Sequence, residues 1–390
     1  MNAAENPSVL LTGPERVQLR SLTSLRAMAA IAVAIHHSRS FGRAFPPFDW
    51  IAQIGWLGVS LFFVLSGFVL MYSFGNGTGV TWLGYTYRRL TRIYPLHILC
   101  LVLSLAAFKI IHAPLAGYTG TFWGTFANAL LIHGWVPGHP EIRQAWNGVS
   151  WTLSCEFFFY LLAPPIFGYL LKMEGKANVA TAIAAWLMFG LIVLSGKAFH
   201  SGAILDWAQY HPGAHILEFI AGAAGARLLG SGWPQNRGFR VFSWLLTVPL
   251  IMYCILVAEP SRNSPFMLFS IMPAFFLLIA NLAAADLAGK KSFLHNKALV
   301  LIGDSSYSLY MIHALWLGVC YWAFSHFTKH THISLTWWNG ALGTLVFISS
   351  AVSISIVMHL RFEVPVRRFL LSSLSKYPVY ATCSSRGDLQ

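Results

Sequence analysis

Long apolar runs alternate with short polar segments over almost the whole chain. Ten stretches are long enough to cross a bilayer as helices, at 23–41, 54–74, 93–112, 150–171, 178–199, 213–230, 241–258, 265–286, 299–325 and 338–360. The pattern predicts an all-α polytopic membrane helix bundle of about ten transmembrane helices over 21–370. A cytoplasmic N-terminal segment, 1–20, precedes it and a cytoplasmic tail, 371–390, follows. An even number of spans puts both termini on one side. The first ten or so residues and the tail from 372 are expected to be poorly ordered.

Basic residues orient the bundle. With the N-terminus inside, 19 of the 26 Lys and Arg fall on inner segments and seven on outer ones, the bias expected of cytoplasmic loops. The net charge of +13 is therefore a topology signal, and nucleic-acid binding is not needed to explain it. Only 10% of the 390 residues are charged, against about 25% in soluble domains, which marks an integral membrane protein. The N-terminal run is interrupted by Arg26 and a histidine pair and lacks a small-residue cleavage site, so it predicts a retained first span rather than a secretory signal. The five cysteines (Cys100, Cys155, Cys254, Cys320, Cys383) show no CxxC spacing and suggest no disulfide framework. His330 and His332 are only a weak metal hint, and no metal site is expected.

The first span carries the pattern that organises the rest. Arg26 and His37 lie eleven residues apart, about three full turns and roughly 16 Å along a helix, so both project from one face. One is a cation near the membrane surface and the other an imidazole well inside. Polar groups within a span face a bundle interior or a wet cavity, which makes this pair a candidate cavity wall. His36 points about 100° away.

Other spans add chemistry. Ser66-Gly67 in the second span permits close approach by a neighbouring helix. Arg88, Arg89 and Arg92 gather at the inner mouth, where they can hold a phosphate or simply anchor the helix at the headgroups. The fourth span opens with Ser150 as N-cap and Trp151, then buries Glu156 one and a half turns in, followed by Tyr160; a carboxylate there needs a partner, and His37 is at a compatible depth. Glu218 is a second intramembrane carboxylate. The ninth span opens Gly303-Asp304 with hydroxyls at Ser305, Ser306, Tyr307, Ser308 and Tyr310, a good helix start, and carries His313 deeper in. The tenth ends Arg361-Phe-Glu363-Val-Pro365, read as an inner-surface anchor with Pro365 breaking the helix. Phosphate-binding Gly-rich loops, dinucleotide fingerprints, HExxH and GxSxG are absent.

Taken in order, these motifs resemble the acyltransferase-3 family of bacterial membrane acyltransferases. The resemblance runs from the Arg26–His37 spacing through GVSLFFVLSGF at 58–68, YRRLTRIYP at 87–95 and WTLSCEFFFYLLAP at 151–164. It continues through Glu218–Gly222, SYSLYMIH at 306–313 and Glu363-Val-Pro365. Ser60 stands where many members have Asp, and the likeness is to stand-alone members without a fused esterase-like domain.

The resemblance implies transfer of an acyl group, most often acetyl, from a coenzyme A thioester at the cytoplasmic face to a glycan or lipid-linked sugar hydroxyl. Exopolysaccharide and other surface polysaccharides are the expected acceptors, and the bacterial cytoplasmic (inner) membrane the expected location. Arg26, Arg88, Arg89 and Arg92 are then expected to hold the coenzyme phosphates, with acetyl-CoA a donor substrate rather than a permanent cofactor. His37 is expected to act as general base and Glu156 to orient it. Ser66, Trp151, Tyr160, Glu218, Ser306, Tyr307, Tyr310 and His313 are expected to bind substrate or support these two. A proton-coupled transporter with the same polar cavity is the alternative, although no internal repeat is present. Acyl length, acceptor sugar, the role of His36, an acyl-enzyme intermediate and a homo-oligomer all stay open.

Overall fold

In the computed structural model the described residues are 17–41, 46–75, 81–112, 114–229, 237–257, 265–331 and 341–374. The extreme N-terminal segment, nearly all of the C-terminal tail, Cys383, His332 and the side chain of His330 lie outside them. The described residues are 87% helical with no strands, an all-α bundle. Its main helices are α1 (Arg20–His37), α2 (Gly58–Phe74), α3 (Trp82–Ile111), α4 (Trp151–Leu171), α5 (Gly175–Ala198) and α6 (Pro212–Leu228). They continue with α7 (Arg237–Val257), α8 (Pro265–Leu287), α9 (Lys297–Asp304), α10 (Ser306–Thr331), α11 (Ala341–Met358) and α12 (Val364–Leu374).

Seven helices among the described residues are long and apolar enough to cross a membrane, and eight if α9 and α10, bent by 68° at Ser305, form one broken span. The two remaining expected spans are α1 and α6, of 18 and 17 residues. Both carry ionisable groups inside their apolar runs, Arg26 and the histidine pair in α1 and His215 and Glu218 in α6. Thirteen of the 17 residues of α6 are buried, His215 and Glu218 among them. The helix α6 is thus central and carries buried polar groups.

Glycines set how closely the centre packs. A Cβ on Gly67 would lie 1.9 Å from the Phe219 carbonyl oxygen, and one on Gly222 would lie 1.9 Å from that of Val64. The backbones of α2 and α6 therefore touch, the close approach that small residues permit between membrane helices. Gly303 seats α9 against α1 in the same way, over the Thr23 carbonyl. The inner end of α1 is held by Asp286 of α8, which accepts from the backbone N–H and hydroxyl of Ser21.

Three local expectations change. The third span, expected from 93, starts earlier: Thr81 caps Gly84 N–H, and α3 runs unbroken from Trp82 through Arg88, Arg89 and Arg92. Ser150 precedes α4, but its hydroxyl donates to the Asn147 carbonyl at 2.8 Å and accepts from Asn128 Nδ2 at 3.1 Å, so it ties the outer segment down instead of capping the helix. Pro365 does not stop the tenth span. A π turn over His359–Glu363 leads directly into α12 within one continuous helix, and this wider turn just before Pro365 is where the ladder adjusts to the missing N–H.

The outer segment after α3 folds over the bundle as short helices, Phe122–Ala129 and Pro140–Arg143. Its anchor is buried Arg143, whose Nη1 donates to both carboxylate oxygens of Asp206 at 3.0 Å while the guanidinium lies 3.8 Å over the Tyr210 ring. Asp206→Asn keeps an acceptor for the Gly138 N–H but removes the counter-charge. It is expected to cost about 2 kcal/mol, read as a lower unfolding temperature in detergent; an unchanged temperature would show that the pair contributes nothing.

Candidate active site

Two cavities lie side by side inside the bundle and share part of a wall. The outer one, about 590 Å³, is lined by His36 and His37 of α1, Val59 and Ser60 of α2, Trp151 of α4, His215 of α6 and Tyr310 of α10, with Gln144, Gln209 and Tyr210 at its rim. Its size lies in the ordinary range for a small-molecule site. The inner one, about 110 Å³, is lined by Arg26, Arg92, Ser66, Glu156, Tyr160, Ser306 and Tyr307. Val59 and Tyr310 belong to both walls.

The helix α1 connects them. It is continuous from Arg20 to His37, so the eleven-residue spacing becomes a real separation of roughly 16 Å between an arginine in the inner cavity and a histidine in the outer.

His37 Nδ1 lies 2.9 Å from the Val33 carbonyl oxygen and 3.2 Å from His313 Nε2. His313 Nδ1 in turn lies 3.2 Å from the Leu309 carbonyl oxygen. A carbonyl only accepts, so both Nδ1 atoms carry hydrogen, and His313 Nε2 is the acceptor for His37 Nδ1–H. That assignment leaves the lone pair of His37 on Nε2, the arrangement a general base requires. His36 is fixed separately, its Nδ1 donating to the Ala52 carbonyl at 2.7 Å.

Depth along the membrane pairs Glu156 with His37, but the structure separates them. The Glu156 carboxylate accepts from Ser66 Oγ at 3.0 Å and from Tyr160, and it faces Arg26 and Arg92 across the inner cavity. His313, from the other side of the bundle, is the group that fixes the ring of His37. The reason is lateral: α10 packs against α1, whereas α4 packs on α2, α3 and α6.

Of the four arginines expected to act together, Arg26 and Arg92 share the inner cavity and are close enough to repel. Glu156, Glu363 and Asp304 offset that repulsion at longer range, and among the described residues no carboxylate closes to salt-bridge distance of either guanidinium. Arg88 and Arg89 stand one turn away on α3 outside the lining, Arg89 with its guanidinium 5.4 Å from the Tyr85 ring centre. Glu363 is no surface anchor. It is buried, accepts from Ser308 Oγ at 2.8 Å and contacts His359 Nδ1 at 3.0 Å.

Glu218 forms a second constellation, on the wall of the outer cavity. It accepts from Ser60 Oγ and from His215 Nδ1 at 2.8 Å, and His215 Nε2 donates to the Gln209 carbonyl at 2.9 Å. This chain joins α2, α6 and the short helix Gly202–Tyr210 that precedes α6. His215 and Ser60 carry no expected role from sequence, although His215 stands three residues before Glu218, a spacing that places both on one helix face. Trp151 packs edge-on against Tyr210, ring centres 5.1 Å apart, and presents an aromatic wall. Tyr307 donates to the Ile93 carbonyl, and Tyr310 to that of Val149 at 3.3 Å. Ser306 Oγ is fully buried with no hydrogen-bond partner among the described residues.

This site sits in a recognisable sequence frame. The acyltransferase-3 profile, an acyltransferase domain, matches residues 19–360. The chain belongs to this family. It is 32% identical over 320 residues to acyltransferase MdmB of Streptomyces mycarofaciens, covering 77% of this chain and 79% of that protein. It is 27% identical over 273 residues to the exopolysaccharide production protein ExoZ of Rhizobium meliloti, covering 68% and 78%. Against the peptidoglycan O-acetyltransferase OatA of Listeria monocytogenes it is 23% identical over 326 residues, 76% of this chain but 49% of that longer protein. No solved structure matches. The protein is thus an integral-membrane acyltransferase, and both cavities lie within the matched region.

Proposed function

We propose that the protein transfers an acetyl group from acetyl-CoA, bound from the cytoplasmic side of the bacterial inner membrane, to a sugar hydroxyl presented from the other side. The observation that carries this reading is a cavity bearing two arginines that shares a wall with a cavity bearing a histidine pair, the two ends about three helical turns apart. Arginine forks suit the coenzyme's phosphates, with Arg88 and Arg89 on the same helix to extend the site outward. The pantetheine arm then spans the inner cavity, along Ser66, Glu156, Tyr160 and Ser306.

In the outer cavity, His37 Nε2 takes the proton of the acceptor hydroxyl as its oxygen attacks the thioester carbonyl. The C–S bond breaks, the ester C–O bond forms, and the proton passes from His37 to the departing thiolate. His313 steadies the imidazolium formed midway by accepting from Nδ1–H. Trp151 and Tyr210 offer ring faces, and Gln144 and Gln209 offer amides, of the kind a sugar ring engages. The names of the Rhizobium and Listeria relatives favour a polysaccharide acceptor, and that of the Streptomyces relative leaves the acceptor open.

The test is donor turnover by the purified protein in detergent, followed as thiol release from acetyl-CoA with and without extracted glycan lipid. Glycan-dependent release is expected. Neither release nor binding of any acyl-CoA would sink the reading and return the cavity to a transporter.

A further inference from the structure

We infer that Tyr310, with Val59 opposite it, is the gate between the two cavities and sets the size of acyl group the enzyme transfers. The inference rests on the acyl-CoA reading above. Among the described lining residues, these two alone belong to both walls, so the pair forms the partition that the two cavities share. Val59 lies on α2 and Tyr310 on α10, one turn before His313, and the Tyr310 and His313 rings have centres 5.8 Å apart. A donor held by Arg26 and Arg92 has to carry its acyl group past this pair, leading end first, to bring the thioester carbonyl to His37.

Tyr310 is 8% exposed and edge-on to Phe62; its hydroxyl donates to the Val149 carbonyl at 3.3 Å, long for an O–H donor, and also meets the Thr152 hydroxyl, so the ring is held by hydrogen bonds at its tip alone. Rotation of one ring therefore opens the passage, while the inner cavity, at about 110 Å³, has room for a slender arm and little else. Closed, the same ring keeps water in the outer cavity from reaching a thioester still on the donor side. Two properties follow from one side chain: selection for short acyl groups, and suppression of hydrolysis, in which water replaces the sugar hydroxyl and gives free acid and thiol.

The experiment compares wild type, Tyr310→Ala, Tyr310→Phe and Val59→Phe in detergent. Acetyl-, butyryl- and hexanoyl-CoA are supplied with and without glycan acceptor, and binding of free CoA is measured in parallel. Tyr310→Ala is expected to raise the butyryl-to-acetyl ratio by about tenfold or more, since butyryl is two methylenes longer and each is worth at least about tenfold in an apolar passage, and to release thiol without acceptor. Tyr310→Phe, which keeps the ring, should keep the wild-type ratio. Val59→Phe should lower that ratio while CoA still binds. A folded Tyr310→Ala with wild-type ratio and wild-type acceptor dependence overturns the gate. If that variant fails to fold, Val59→Phe decides, and a wild-type ratio there overturns it equally. A wild type silent with every acyl-CoA removes the donor reading and the gate with it, whereas an active wild type with unmoved ratios in the variants removes the gate alone.

Discussion

Replacing His37 with alanine is expected to lower acyl transfer by about 10²- to 10⁴-fold, the usual contribution of a positioned general base. Donor affinity should survive, because the arginines that would hold the coenzyme lie three turns away on the same helix. The partner makes the test specific. His313→Leu removes one of the two acceptors of His37 Nδ1–H, leaving the Val33 carbonyl, and is expected to cost about tenfold, with part of the rate restored in His313→Gln, whose amide oxygen can accept. Because the two rings act as a unit, the double variant His37→Ala/His313→Leu should be no slower than His37→Ala alone. Thiol release with glycan acceptor measures all four. A His37→Ala protein that transfers at the wild-type rate would remove the imidazole from the chemistry.

The choice of His313 over Glu156 as that partner marks where the sequence stops being legible. Spacing along one helix is exact information: Arg26 and His37 share a face because α1 is unbroken, and the structure places them accordingly. Small residues are nearly as informative, since Ser66-Gly67 indicates a close crossing and Gly67 meets α6. Depth is weaker evidence. Glu156 and His37 can be assigned similar depths from their positions in two spans, yet depth says nothing about which helices are lateral neighbours, and α10 rather than α4 lies against α1.

Long-range pairs such as Ser60 with Glu218 and Ser308 with Glu363 are hidden for the same reason. The i, i+3 pair His215–Glu218 and the i, i+4 pair His359–Glu363 were open to inspection. Span counting was legible: the apolar runs at 23–41 and 213–230 cover most of α1 and α6, although these are short helices of 18 and 17 residues that carry ionisable groups inside the run.

The central position of α6 makes Gly222 the most demanding site in the fold. Gly222→Val is expected to abolish the folded bundle, because even the first carbon of the new side chain would fall 1.9 Å from the Val64 carbonyl oxygen and 3.1 Å from Phe68 N. Both obstacles are backbone, so no rotamer change relieves them. The helices α2 and α6 must separate by more than 1 Å, and Gly67, seated against Phe219 on the reciprocal side, loses its contact too. Overpacking of ordinary core side chains costs about 1–3 kcal/mol. A backbone collision at the crossing of two central helices exceeds that and takes a large part of the stability of the whole protein.

The chemistry would fail with the fold, since Glu218 lies one turn from Gly222 and its bonds to Ser60 and His215 tie α2 and α6 into the outer cavity wall. Gly168→Ala on α4 is the matched control, as nothing lies within 4 Å of its added carbon. Size-exclusion chromatography in detergent should show a monodisperse Gly168→Ala protein and little or none for Gly222→Val. A Gly222→Val protein that elutes and melts like the wild type would mean that the two helices do not meet at these glycines.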